Sequence, residues 1–470
     1  MDTFVYKDHK KLRCGYTTGT CAALAAQGAV RFLLTGSWKE TEEIMTPKGV
    51  PVCVSLEEKT SGDSWAECAV RKDAGDDYDV TNGILVYARA EFVKDKNFYE
   101  KVQMSHLESS GFGAAGEKPG LSPENQKQQK KANAAHQKEA LPESLVRIDG
   151  GIGIGRITKS GLDQPVGAAA INSVPRKMIR DAVYELLEEA GELRLVSITI
   201  SVPAGVEAAK KTFNPVLGIE GGISVLGTSG IVEPMSEEAL VETIRTHLNV
   251  LKAEGRKWVI AVPGNMGAGF LERYLVEHGK FCTDAHQGSN AVDTDAAVEA
   301  EQMAYGELST ETEPSLLEGF MNSLVTMSNF VGKTIDLAAE LGFSGILIAG
   351  HMGKLVKIGN GIMNTHSRDA DGRMDTMLSC ALSAGTEDLE LLRKIQRSNT
   401  TDEAMDHLKQ AGIIEDTINV FLKRADWHLT HRSRDEVRTG MIVFGTKGEY
   451  LGETEGADAI LRSALKELDQ

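Results

Sequence analysis

Two stretches of this chain share an ending that suits a small ligand. Val259-Ile-Ala-Val-Pro-Gly-Asn-Met-Gly267 and Ile346-Leu-Ile-Ala-Gly-His-Met-Gly353 each run from apolar residues into a Gly-rich turn and then a helical segment. Gly264, Asn265 and Gly267 in the first, with Gly350 and Gly353 in the second, leave backbone N–H groups uncovered at a helix start, where polar or anionic groups are held. A tight turn without a ligand has the same composition, and the duplication favours the ligand. Cations supply a second chemistry. Residues 147–180 hold six Lys and Arg (147, 156, 159, 176, 177 and 180) against Asp149 and Asp163, a local net charge of +4. Residues 350–368 add Lys354, Lys357, Arg368, His351 and His366 with no acid. The two islands together suit a substrate bearing several carboxylates, each held by charge-assisted hydrogen bonds, although a solvated surface is the plainer account of any single cation.

Lys72-Asp-Ala-Gly-Asp-Asp-Tyr-Asp-Val-Thr81 crowds four Asp around a Gly, without the spacing of a calcium loop. Asp76 or Asp77 there suits a base or a carboxylate facing a sulfonium; Asp residues in a turn between strands are the bland alternative. Gly218 to Gly230, which includes Thr228, is rich in Gly and hydroxyls and reads as a ligand cradle. Other chemistries are disfavoured. Gly332-Lys333-Thr334 lacks the first Gly of a phosphate loop, because position 327 is Met. No G-x-G-x-x-G follows an N-terminal strand, and Gly150-Gly-Ile-Gly-Ile-Gly155 reads better as a bulged or strained β segment than as a dinucleotide site. The eleven His form no H-x-x-x-H or H-E-x-x-H, so no protein-bound metal is expected.

The elements that must position these residues follow from periodicity. Thr17-Thr18-Gly19-Thr20 leads into a small-residue run to Val30 that reads as a capped, closely packed helix. Residues 50–56, 65–70 and 84–92 read as strands, and Pro175 to Leu187 as a helix stopped by Gly191. Beyond it, apolar runs at 196–202, 258–262, 346–349 and 441–444 alternate with helical segments such as 237–253, the rhythm of a parallel sheet with crossover helices. The expectation is an α+β domain over 1–193, with an exposed insertion at 113–146, then an α/β domain with a mostly parallel sheet over 194–470, with an acidic insertion at 284–318.

Charge and composition narrow the partners. The 470 residues carry 51 Lys and Arg against 68 Asp and Glu, a net −17 that disfavours nucleic acid or an anionic membrane as partner. Nine of the acids lie in 284–318, so the acidity is partly local. Six Cys without a C-x-x-C pair, and no apolar run long enough to span a bilayer, fit reduced thiols in a cytoplasmic enzyme. The oligomeric state is not legible.

Gly15-Tyr-Thr-Thr-Gly-Thr-Cys-Ala-Ala, Lys72-Asp-Ala-Gly-Asp-Asp, Gly153-Ile-Gly-Arg-Ile-Thr-Lys-Ser-Gly-Leu162, Ala170-Ile-Asn-Ser-Val-Pro-Arg176, Gly221 to Gly230, Ser328-Asn-Phe-Val-Gly332, Gly350 to Lys357 and Asn364-Thr-His-Ser367 together resemble one family. It is the cobalt-precorrin-5B C1-methyltransferase family, the CbiD type of anaerobic cobalamin biosynthesis, and the likeness runs from about residue 12 to 445. The resemblance implies methyl transfer from S-adenosylmethionine to C1 of a cobalt-bearing tetrapyrrole rich in acetate and propionate groups, which accounts for cationic islands in an acidic chain. The donor is then expected at Gly264, Asn265, Gly267, Gly350 and Gly353, and the macrocycle in a cleft between the domains toward Thr17, Thr18, Arg156, Lys159 and Lys354, with Arg176, Thr228 and His366 as further substrate contacts. His351 and Asp77 are the catalytic candidates; for His351, orienting a carboxylate, moving a proton and a plain hydrogen-bonding role are all open. Two other classes compete: a nucleotide-dependent phosphotransferase and a non-catalytic tetrapyrrole-binding protein.

Overall fold

The computed structural model describes residues 3–7, 9–93, 145–277 and 314–468. Residues 113–144 and 284–313 of the two expected insertions lie outside that range. The ends of both insertions belong to the folded body instead. Leu145 and Val146 are buried, and Pro314–Ser323 is a helix that buries Phe320. Contacts divide the chain into two units, Met1–Lys159 with Asp163–Ser236, and Ser160–Leu162 with Glu237–Gln470.

The first unit is built on a five-stranded sheet in the order Glu57–Ser61, Trp65–Arg71, Leu85–Phe92, Val196–Ser201, Val146–Gly150. Its first three junctions are antiparallel and the last is parallel. Alternation selects one face: Ala66, Cys68 and Val70, then Val86, Ala88 and Ala90, then Val196, Ile198 and Ile200 are buried in one core. Against that core pack the helices Thr18–Thr35 and Ser173–Ala190. Thr17 caps the first, its Oγ1 accepting from the Thr20 N–H at 3.2 Å, and Gly36 closes it in the left-handed region at φ 71°. Small residues let this helix run buried from Thr18 to Val30. A Cβ on Gly28 would stand 2.5 Å from Leu56 Cδ1, and one on Gly19 2.8 Å from Pro175.

The expected division at 193 is therefore moved to 236. Val196–Ser201, assigned by its apolar run to the second domain, bonds Leu85–Phe92 on one side and Val146–Gly150 on the other. A strand inserted at the centre of a sheet cannot belong to the next domain.

The second unit carries a five-stranded sheet in the order Val325–Thr326, Trp258–Val262, Gly345–His351, Arg438–Phe444, Tyr450–Glu453. The first four are parallel and the last is antiparallel. Both faces are covered, as the near-continuous apolar strands require. Val259, Ala261, Ile346, Ile348, Met441 and Val443 face the helices Glu237–Ala253, Val331–Glu340 and Ile414–Ser433. Ile260, Val262, Leu347, Ala349, Ile442 and Phe444 face Asn265–Glu277, Pro314–Ser323 and Ala457–Leu468. The mostly parallel sheet with crossover helices is as expected.

Candidate functional site

Strand order decides where the second unit can bind a ligand. The chain leaves Trp258–Val262 for Val325–Thr326 on one side, then crosses to Gly345–His351 on the other. Connections diverging from one strand pair open a crevice at the carboxyl ends of those strands. The two Gly turns sit there. Gly267 is required by contact, since a Cβ would stand 2.9 Å from Ala349 O and 3.0 Å from Val262 Cβ. Gly350 is required likewise, with Leu355 Cδ1 at 2.9 Å and Pro263 Cγ at 3.1 Å. The turns thus pack on each other. Gly264 differs: a Cβ there would meet nothing within 4 Å, and Asn265 and Met266 beside it are exposed. The crevice floor is closed by glycines that touch protein, and its lip by one that touches none.

His351, at the end of its strand, is held from three sides. Its Nδ1 accepts from the Gly353 N–H at 3.0 Å, capping the short helix Met352–Leu355. Its Nε2 lies 2.9 Å from Thr446 Oγ1, and that hydroxyl donates to both carboxylate oxygens of Asp402 at 2.8 Å. The ring meets Phe444 edge-on at 5.8 Å. An Nδ1 that accepts leaves the proton on Nε2, so the imidazole is neutral with both nitrogens engaged inside the protein. This arrangement does not leave His351 a free base. Thr446 and Asp402 were not legible from sequence; a Gly-Thr pair directly after the apolar run 441–444 was the signal available.

The other cations of this island divide. Lys357 is buried, and its Nζ donates to Thr365 O and Ala370 O, each at 2.9 Å. It clamps the loop that carries Asn364 to Ser367 and is no substrate contact. His366, in that loop, is exposed, with Nδ1 accepting from the Arg368 N–H. Lys354 is exposed, no acid among the described residues offsets its charge, and partial desolvation moves its ammonium below the ordinary lysine value. Ser328, after Val325–Thr326, holds a left-handed backbone at φ 55°, next to Asn329, whose Oδ1 is 3.3 Å from Thr365 Oγ1.

In the first unit, several expected substrate contacts are committed to the fold. Arg176 donates to Ile171 O, Ile148 O and Ala169 O at 2.7–3.2 Å, and burial lowers its pKa. Arg156 pairs with Asp149 at 2.7 Å and donates to Gly150 O. The Lys159 stem lies over Gly218, where a Cβ would stand 2.3 Å from its Cγ. The Gly-rich stretch packs on the capped helix instead of standing open: Gly19 N–H donates to Leu226 O at 3.1 Å, Thr17 N–H to Gly230 O at 3.0 Å, and a Cβ on Gly227 would collide with Thr17 Oγ1. Thr17 and Thr18 are buried in that junction, while Thr228 is exposed.

The Asp cluster is neutralised from within. Asp73 pairs with Arg13, whose hydrogen bond holds its carboxyl below the ordinary value. Asp76 accepts from the Arg13 N–H, and Asp77 from the Met235 N–H at 3.0 Å. Burial pushes Asp79 up, but Lys72 and the Thr81 hydroxyl and N–H outweigh it and leave it lowered. Lys72 itself is buried, with Nζ 3.0 Å from Asp79 Oδ2. The cations at this cluster are thus Arg13 and Lys72. Among the described residues no group of three or more His, Cys, Asp or Glu could hold a metal ion, and no helix is long and apolar enough to cross a membrane.

The second unit is a doubly wound α/β sheet whose paired Gly turns stand at the carboxyl ends of adjacent strands. Its kinship is specific. A CbiD profile matches residues 5–129 and 126–234, and one for the CbiD C-terminal domain matches residues 364–455. The cobalt-precorrin-5B C(1)-methyltransferase of Ruminiclostridium cellulolyticum is 35% identical over 100% of both chains. That of Clostridioides difficile is 33% identical over 98% of this chain and 99% of its own, and that of Methanocaldococcus jannaschii 33% over 95% and 98%. The crystal structure of a cobalamin biosynthesis protein (cbiD) from Archaeoglobus fulgidus is 22% identical and covers 79% of this chain and 87% of its own, with a TM-score of only 0.33. The chain belongs to the CbiD family.

Proposed function

We propose that this chain transfers a methyl group to C1 of cobalt-precorrin-5B, giving cobalt-precorrin-6A in anaerobic cobalamin biosynthesis, with S-adenosylmethionine as donor. Kinship over the whole chain with proteins named for that reaction carries the reading. The donor's proposed place is beside Gly264, where a Cβ would meet no protein atom within 4 Å. Gly264 and Asn265 would hold it there, since the N–H groups of Gly267 and Gly353 are already taken by Gly264 O and His351 Nδ1.

When bound, the sulfonium supplies the methyl: the ring carbon's electron pair forms the new C–C bond as the S–C bond breaks, and S-adenosylhomocysteine leaves. The protein's share is alignment and exclusion of water. No side-chain nucleophile is needed, and burial pushes the Cys21 and Cys68 thiols up to about 12, which keeps them inert. Lys354 and His366, both exposed in the second unit, are the proposed partners of the substrate's carboxylates. The phosphotransferase reading loses its motif, since Thr334 is buried with its hydroxyl on Phe330 O.

The test supplies donor labelled in the methyl group and cobalt-precorrin-5B. The expected result is a product heavier by one labelled methyl, with one S-adenosylhomocysteine released per product. Substrate that binds but stays unmethylated would leave a carrier, and magnesium-dependent ATP turnover a phosphotransferase.

A further inference from the structure

The chain Gly353 N–H, His351, Thr446, Asp402 joins three separate parts of the sequence. His351 ends one strand, Thr446 follows the neighbouring strand Arg438–Phe444, and Asp402 lies in the helix Thr401–Gln410. Gly353 is shaped to this chain: a Cβ there would stand 2.9 Å from His351 Nδ1 and 3.4 Å from Thr401 Oγ1. Each link has a fixed direction. Asp402 accepts, so Thr446 donates to it and accepts from Nε2–H, and Nδ1 is left to accept from the Gly353 N–H. What hangs on the far end is the turn Gly350–Leu355 with Lys354, an exposed ammonium that no acid among the described residues offsets. Lys357, three residues on, is the opposite case, saturated by carbonyls. A short helix of four residues has little stability of its own, so an external cap sets its direction.

We propose that His351, Thr446 and Asp402 are positioning residues, a hydrogen-bonded strut that fixes the Gly350–Leu355 turn so that Lys354 meets one carboxylate of the tetrapyrrole substrate. This rests on the reading of the substrate as a polycarboxylate. His351 then has no part in proton transfer, and its loss registers as weakened substrate binding.

The experiment measures kcat and KM with the cobalt substrate, and in parallel its Kd by absorbance titration, for Lys354→Ala, Thr446→Val, Thr446→Ser, Asp402→Ala and the double variant Lys354→Ala/Thr446→Val. Losing one charge-assisted hydrogen bond predicts that KM and Kd rise about tenfold in Lys354→Ala and Thr446→Val, with kcat within about twofold of wild type. Thr446→Ser keeps both links and should match wild type. The double variant should be no worse than Lys354→Ala alone, because the strut acts through that lysine. An additive double variant, a Thr446→Ser as impaired as Thr446→Val, or an unchanged KM in Thr446→Val overturns the proposal. So does a kcat about a hundredfold lower at constant KM, which would give His351 a chemical role. Asp402→Ala, which takes away the acceptor of the Thr446 hydroxyl, stands in if Thr446→Val does not fold and should raise KM and Kd in the same way. A wild-type chain that binds the substrate without methylating it would sink the methyltransferase reading alone, since the Kd series still decides the strut.

Discussion

Gly264 and Gly267 sit three residues apart in one turn, and substitutions at the two should have opposite signatures. Gly264→Thr adds three heavy atoms where nothing lies within 4 Å of the Cβ position, at a residue whose φ is not in the left-handed region. Thr and Gly rank alike just before a helix, so folding stability should change by less than about 0.5 kcal/mol. If the methyl donor occupies that space, forcing the added atoms into a packed ligand costs about 1.5–3 kcal/mol, which is roughly a 10- to 150-fold rise in Kd. Gly267→Ala adds one carbon between Ala349 O at 2.9 Å and Val262 Cβ at 3.0 Å, both anchored in the sheet. The strands cannot part cheaply, so this variant should lose about 1–3 kcal/mol of stability. Calorimetric titration with S-adenosylhomocysteine and urea denaturation read the two quantities separately. A Gly264→Thr protein that folds normally and binds with wild-type affinity would remove the donor from this crevice.

Two further outcomes follow from the first unit. Asp79→Asn leaves the Lys72 ammonium buried without its partner and should cost about 3 kcal/mol, read by urea denaturation at pH 7. The Asp79 carboxyl is lowered in the fold, so its contribution is complete above the unfolded value near about 4 and lost as pH falls through the lower folded value. Wild type should therefore shed stability relative to Asp79→Asn in that acid window; parallel profiles would contradict the pairing. Gly153→Ala, whose Cβ would collide with Val202 O at φ 77°, should lose more than about 3 kcal/mol, whereas Gly221→Ala, with φ 82° and open space, should lose only about 1 kcal/mol for the left-handed backbone. Equal losses in the two would mean that backbone preference, not close approach, demands the glycine.

The same comparison explains which motifs were readable. Gly150 to Gly155 reads as a strained β segment because its glycines serve contact: Gly153 O would stand 2.4 Å from a Cβ on Gly205 and 2.2 Å from one on Gly222. The stretch 218–230 looks like a ligand cradle for the same compositional reason, yet Gly227 admits the helix cap Thr17, Gly218 the Lys159 stem, Gly222 the Gly153 backbone and Gly230 Thr46. Glycine content marks close approach without naming what approaches.

Periodicity in the chain by itself determined the parallel sheet, the paired turns and the helices around them, since alternation and Gly placement are local and survive without knowing any partner. Even the strand at 196–201 was legible, but its owner was not, because sheet neighbours are chosen by pairing with residues about a hundred positions away in Leu85–Phe92. Tertiary structure alone decided which cations remain available. Arg156, Arg176 and Lys357 look like Lys354 in sequence, but the first meets Asp149 and the other two meet backbone carbonyls. It also brought Thr446, 95 residues on, to His351. A charge's identity is written in the chain; the partner that satisfies it is selected by burial, where an unmatched polar group is too costly to leave.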